Sequence, residues 1–225
     1  MNSPLKPYTL LMASLPPYSA DLFSSRYPPV SQFQLRQRLK WLDAEDLSDL
    51  TKIQNILYWS EVEEVDDLAF VEHAQRLLQT IRSDFLRQLI SWRLEIRTIL
   101  AALRKRLKQP DFIPDKGALA LSQWNWKIIQ NWHLNDFALS VHFPWIGDVN
   151  QLLINGQSLE LERFLLNTVW QYYERQSQGH YFDFEAVIIY VLRWDVVYRW
   201  NQYDSSKARG RFVELLNNHV PEGAA

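Results

Sequence analysis

His180, Asp183 and Glu185 form the densest group of potential metal ligands in the chain. A metal site needs three or four such donors converging from fixed positions. Here all three lie in one short stretch, after Gly179 and before a long apolar run. That is the pattern of a helix junction whose aspartate caps the next helix. His73, His133, His142 and His219 are scattered, and none pairs with a second ligand four residues away as in HExxH. The expectation is that no metal is bound.

Other chemistry is equally short of parts. Acid–base catalysis needs a carboxyl whose surroundings desolvate it and raise its pKa. The acidic runs Asp43–Asp49 and Glu61–Asp67 are mostly polar, so the first reads as a solvated linker and the second as a loop and helix start. With no cysteine in the chain, disulfides, thiolate metal sites, iron–sulfur clusters and thiol nucleophiles are excluded. The six glycines fall in predicted breaks, with neither a phosphate-binding loop nor a G-x-S-x-G elbow. Ser205–Arg211 (SSKARGR) could wrap an anion through its backbone N–H groups, but reads more simply as a mobile, solvated loop. A Trp-rich middle, Trp124 to Trp145, could wall a pocket holding His133, Asp136 or His142. The chain is therefore expected to be non-enzymatic and to use no cofactor.

The elements point to helix packing. Phe184–Tyr203 has no Pro or Gly and stays apolar on nearly every side for four turns, which marks the centre of a bundle. Arg193, Asp195 and Arg199 within it exclude a membrane span. Phe184, Tyr190 and Trp194 are expected in the core, and the doubled Arg-Trp (Arg193-Trp194, Arg199-Trp200) as arginine stacked on indole. A second long helix runs to Lys108, with a break near Ser83-Asp84. Phe85, Leu89, Trp92, Ile96, Ile99 and Leu103 form its apolar seam, with Trp92 in the core. Arg93, Arg97 and Arg104 occupy a neighbouring stripe, and the helix ends in Arg104–Lys108 (RKRLK), where positive charge complements the helix dipole.

Ser31 and Ser158 read as helix N-caps, and Gly179 as a helix-ending glycine. Leu119–Leu134 reads as a Trp-studded helix. Asp204–Gly210 reads as a loop before a short helix around Phe212–Leu216 and a frayed tail. Tyr8–Leu15, bracketed by Pro7 and Pro16-Pro17, is too short and too weakly basic for a signal peptide and reads as a short strand or extended segment. The fold class is thus all-α, a helical bundle of two similar lobes with that N-terminal strand at most. Pro110, Pro114 and Gly117 set the expected boundary, giving lobes 1–109 and 110–225. A faint repeat agrees: RLEI (Arg93–Ile96) and RWDV (Arg193–Val196) lie in register, as do Leu89 and Ile189, and Tyr27-Pro28-Pro29-Val30 resembles Phe143-Pro144-Trp145-Ile146.

Composition narrows the partners. Aromatic residues make up 14% of the chain, with ten tryptophans, the signature of ring-filled helix packing. A net charge of −2 argues against nucleic acid, which demands a dominant basic surface. The absence of cysteine suits a cytoplasmic protein.

Four stretches carry a family resemblance. YTLLMASLPPYS (Tyr8–Ser19) is similar to the Tyr-Leu-Ala-Ser-Leu-Pro opening of a bacterial family of unknown function whose genes sit among those of the V-type ATPase. ERFLLNTVWQYYERQ (Glu162–Gln176) and FDFEAVIIYVLRWDVVYRW (Phe182–Trp200) continue that family's pattern. SWRLEIRTILAALRKRLK (Ser91–Lys108) resembles the recurring helix of the V-type ATPase component that caps the rotor ring, called d in eukaryotes. The resemblance implies a non-enzymatic component or accessory of the rotary ATPase. Such a chain would couple the membrane rotor ring to the central stalk, peripheral on the cytoplasmic face and not inserted. Arg93, Arg97, Arg104, Arg106, Arg193 and Arg199 are then candidate partner contacts. The chain has room for two of the three lobes of that rotor-capping component. A free-standing helical adaptor with an unrelated protein partner is the alternative.

Overall fold

The computed structural model describes residues 7–24, 27–58, 67–112 and 114–218. It is all-α, with no strand among the described residues. The helices are α1 (Pro7–Ser14), α2 (Gln32–Leu39), α3 (Ala44–Tyr58), α4 (Asp67–Thr80), α5 (Asp84–Lys108), α6 (Asn125–Gln130), α7 (Ile146–Ile154), α8 (Ser158–Gln176) and α9 (Phe184–Asn218). Among the described residues no helix is long and apolar enough to cross a membrane. The acidic stretch 61–66 and the tail 219–225 lie outside those residues.

Three local expectations change. Tyr8–Leu15 is not a strand: Pro7 opens helix α1, at a position where its missing N–H costs nothing. Leu10, Leu11, Met12 and Ala13 are good helix formers, and Leu11 and Leu15, one turn apart, are both buried. The loop expected at Asp204–Gly210 is helical, because α9 runs unbroken to Asn218; a single glycine costs a helix only about 1 kcal/mol. The helix expected over Leu119–Leu134 shrinks to a 3-10 turn at Gly117–Leu119 and α6. Beyond α6 the chain continues in turns, with Phe137 and Ala138 at positive φ.

Contacts divide the chain into two units, one formed by 1–41 with 166–225 and the other by 42–165. The boundary expected at 109/110 falls inside the second unit. Pro110, Pro114 and Gly117 bring the chain back onto its own helices there. A Cβ on Gly117 would stand 3.2 Å from the Leu68 side chain, Gln75 donates to the Ala120 carbonyl at 3.1 Å, and Trp132 Nε1 donates to the Pro110 carbonyl at 3.1 Å.

In the first unit α9 is the core element. Phe184, the run Ala186–Leu192, Trp194, Val196 and Val197 are all buried, so the helix is enclosed on almost every side over its first turns. Helix α1 packs on α9 and on α2. Ser31 caps α2 through a capping box with Gln34, and α2 buries Leu35 and Leu39.

In the second unit α4 packs on α3, on α5 and on the 117–119 turn, while α5 also meets α3 and α7. Ser83 caps α5, its hydroxyl accepting from the Leu86 N–H. The buried face of α5 holds Leu86, Leu89, Ile90, Leu94, Ile96, Ile99, Ala102 and Leu103. Trp92 and Phe85, expected in that seam, are only half-buried: the helix is rotated towards Leu86, Ile90 and Leu94.

Candidate functional site

The six arginines implied as partner contacts sort by what their helices do with them. On α5, Arg104 is exposed and Arg93 half-exposed. Arg97 lies with its guanidinium carbon 3.8 Å from the Phe70 ring centroid, a cation–π contact between α5 and α4. On α9, Arg199 is exposed. Arg106 and Arg193 point inward, and their guanidinium groups are engaged within their own units.

Arg106 is 9% exposed. It donates to the Leu134 carbonyl and, at 2.8 Å, to Asn150 Oδ1 of α7, and its guanidinium stands 5.1 Å from the Phe137 ring centroid. Burial lowers its pKa from the ordinary arginine value, opposed by Asp136. A basic helix end can be read from sequence, but which of its side chains is drawn inside depends on where the 131–143 turns return. Those turns place Phe137 and the Leu134 carbonyl around a single α5 position.

Arg193 is sandwiched. Its guanidinium carbon lies 3.9 Å from the Trp170 ring centroid and 5.0 Å from that of Tyr18, with Glu174 at 3.8 Å. The stacking expected for the doubled Arg-Trp is present, but the ring is Trp170 of α8, not a tryptophan of α9. Around it the long helix grips the N-terminal segment. Tyr190 donates to the Pro16 carbonyl at 2.9 Å and Trp194 Nε1 to the Val30 carbonyl at 2.7 Å. Phe184 and Tyr8 stand ring to ring at 6.5 Å. Tyr190, Trp194 and Phe184 are all buried, as expected. Burial pushes the Tyr190 hydroxyl up to about 12 and that of Tyr18 well above its usual value.

Two carboxylate clusters are buried, and the first contradicts the reading of Asp43–Asp49 as a solvated linker. Asp46 and Asp49, in the first half of α3, are buried. Arg82, from the α4–α5 junction, forks across them: Nε to Asp49 at 2.9 Å, one terminal nitrogen to Asp46 at 2.7 Å, the other to Glu45 at 2.6 Å. Lys52 adds 2.8 Å to Asp49. Burial alone would raise the Asp49 pKa, but hydrogen bonds from Lys52 and Arg82 outweigh it and the net shift is downward. Glu95, in mid-α5, is also buried and accepts from the Ser122 hydroxyl at 2.6 Å and the Gln123 N–H at 2.7 Å. Burial raises its pKa in spite of both bonds. Sequence held one clue to each: an acid one turn before Lys52, and a lone Glu among apolar positions of α5.

The first cluster ties α3 to the α4–α5 junction, and the second ties α5 to the Ser122-Gln123 turn. His180 Nδ1 meets Asp183 Oδ2 at 2.7 Å, while Asp183 Oδ1 accepts the Ala186 N–H at 2.8 Å, which is the helix junction expected there. Donor atoms of His180, Asp183 and Glu185 lie within 4.8 Å of one another, but both oxygens of the central aspartate are committed to these bonds. The backbone of Ser205–Arg211 is helical, so its N–H groups are turned into the helix ladder and no anion-wrapping loop exists there. In the Trp-rich middle His133 and His142 are exposed, with His142 stacked on Trp124 at 4.0 Å, so these side chains do not enclose a pocket. The arrangement is suited to holding a shape. No curated protein and no solved structure matches the chain. A family model described as "Protein of unknown function (DUF2764)" matches residues 10–222, and the chain belongs to that family.

Proposed function

We propose that the chain is a non-enzymatic component or accessory of a V-type rotary ATPase, a coupler between the membrane rotor ring and the central stalk. In this reading it is peripheral on the cytoplasmic face of the membrane. The observation that carries the proposal is that two of the stretches bearing the resemblance, Tyr8–Ser19 and the start of α9, pack on each other. Tyr8, Pro16 and Tyr18 of the N-terminal stretch meet Phe184 and Tyr190 of α9. A force-bearing coupler needs such a body, with its ionisable groups used to brace helices and charged side chains left on its surface for partners. Arg93, Arg104 and Arg199 are the candidates for those contacts, whereas Arg106 and Arg193 brace the interior.

Pull-down of the tagged chain from native membranes, read by mass spectrometry, tests this. Rotor-ring or stalk proteins should co-purify, and combined charge reversal at Arg93 and Arg104 should deplete them while helix content stays intact. Recovery of an unrelated protein without any ATPase component would leave the chain a free-standing adaptor.

A further inference from the structure

Helix α2 turns an unusual face to water. Leu35 and Leu39 are buried, while Phe33, Arg36, Gln37 and Lys40 are exposed. The exposed residues stand at i, i+3, i+4 and i+7, one stripe of an α-helix. Trp41 follows in the closing turn, its N–H donating to the Arg38 carbonyl at 3.0 Å. A solvated stripe is ordinarily polar, yet Phe33 is 71% and Trp41 52% exposed, and Tyr27, just upstream, is 80% exposed. The charge is one-sided as well. Between Asp21 and Asp43 the chain carries Arg26, Arg36, Arg38 and Lys40 and no carboxylate, in a protein of net charge −2.

We propose that this stripe docks on a membrane surface containing anionic phospholipid. Phe33 and Trp41 would enter the headgroup boundary, with Arg36 and Lys40 on the phosphates. A protein groove that takes up aromatic anchors usually meets them as a clustered, well-packed hot spot. Here the rings stand apart, about 12 Å along the helix direction at 1.5 Å per residue, with Arg36, Gln37 and Lys40 between them. Rings and cations at one depth are what a lipid interface accepts, since aromatic side chains and basic groups share the headgroup level. This docking rests on the peripheral membrane placement and deepens it by naming the surface and its lipid. It is separable from the ATPase reading: a chain held by protein contacts alone would still co-purify with ATPase components and leave vesicles unbound.

Co-sedimentation of the purified full-length chain with lipid vesicles is the test. Vesicles containing about a third phosphatidylglycerol should bind it, and pure phosphatidylcholine vesicles or high salt should release it. Arg36→Gln with Lys40→Gln should weaken partitioning about thirtyfold, from roughly fivefold per basic group. Phe33→Ala with Trp41→Ala should weaken it about tenfold, with an unchanged circular dichroism melt. If the double variant proves unstable, Phe33→Ala alone serves, since that ring is already mostly in water. Vesicle binding unaffected by these changes would overturn the proposal. So would absence of binding to either vesicle, and loss of a co-purifying protein in Phe33→Ala would then assign the stripe to a protein contact.

Discussion

Tyr18 and Tyr190, 172 positions apart, are joined twice: the Tyr18 hydroxyl donates to the Tyr190 carbonyl at 2.7 Å, and the two rings stand 4.7 Å apart. That carbonyl lies inside α9 and offers its second lone pair. In return the Tyr190 hydroxyl reaches the Pro16 carbonyl. A proline-rich segment has few partners of its own for its carbonyl groups, and buried carbonyls must be met by something. Here α9 side chains meet them.

Replacing Tyr190 by Phe should therefore cost about 0.5–1.5 kcal/mol, the net worth of one hydrogen bond, in chemical denaturation. Trp194→Phe should cost about 1–3 kcal/mol, because it leaves the Val30 carbonyl unmet. Trp194→Ala should cost about 3–5 kcal/mol, adding a cavity. A Trp194→Ala protein melting within about a degree of the parent would show that α9 is not enclosed.

At Arg106 the loss is electrostatic and geometric together. Arg106→Ala leaves Asn150 and the Leu134 carbonyl unsatisfied in the interior and should destabilise by about 2–4 kcal/mol. Arg106→Lys should recover only part of that, because an ammonium group cannot reproduce the planar fork. Arg104→Ala, at an exposed position on the same turn, should stay within about 0.5 kcal/mol of the parent.

Arg82 serves two buried carboxylates. Arg82→Ala should destabilise by about 2–4 kcal/mol, somewhat less than the roughly 3–5 kcal/mol for breaking a fully buried ion pair, since half of this side chain is in water. The Asp49 pKa is depressed in the folded state, so its contribution is present above the ordinary aspartate pKa and is lost as pH falls through the folded value. Denaturation curves from neutral pH into acid should show this loss in the parent and a much flatter response in Arg82→Ala.

Glu95 acts in the opposite direction. Its folded pKa is raised, so the native state holds the proton more tightly than the unfolded chain. Stability then declines as pH rises from the ordinary glutamate value through the folded value, and the penalty is complete above it. Glu95→Gln, which keeps an acceptor for the Gln123 N–H and a group for Ser122, should match or exceed the parent at pH about 8. That advantage should vanish in acid. An advantage that persists unchanged into acid would mean Glu95 is not titrating in this way.

Periodicity alone made the helices around Phe184–Tyr203 and Leu86–Lys108 legible, because an apolar stripe or an all-round apolar run has one low-energy use in water. The cap at Ser31 and the break at Ser83-Asp84 were legible for a similarly local reason. The acids at Asp46, Asp49 and Glu95 were not. Their burial depends on Arg82 and on Ser122-Gln123, brought from other helices and turns.

Propensity, capping and pattern act over a few residues, and they were enough to dictate an all-α fold and the long helices that became α5 and the first turns of α9. Long-range packing was needed to set that residues 1–41 join 166–225, that Pro110 and Gly117 sit against helices and turns of the second unit, and that Arg106 and Arg193 turn inward. Each of those outcomes is settled by partners distant in sequence, whose hydrogen bonds and ring faces no local pattern encodes.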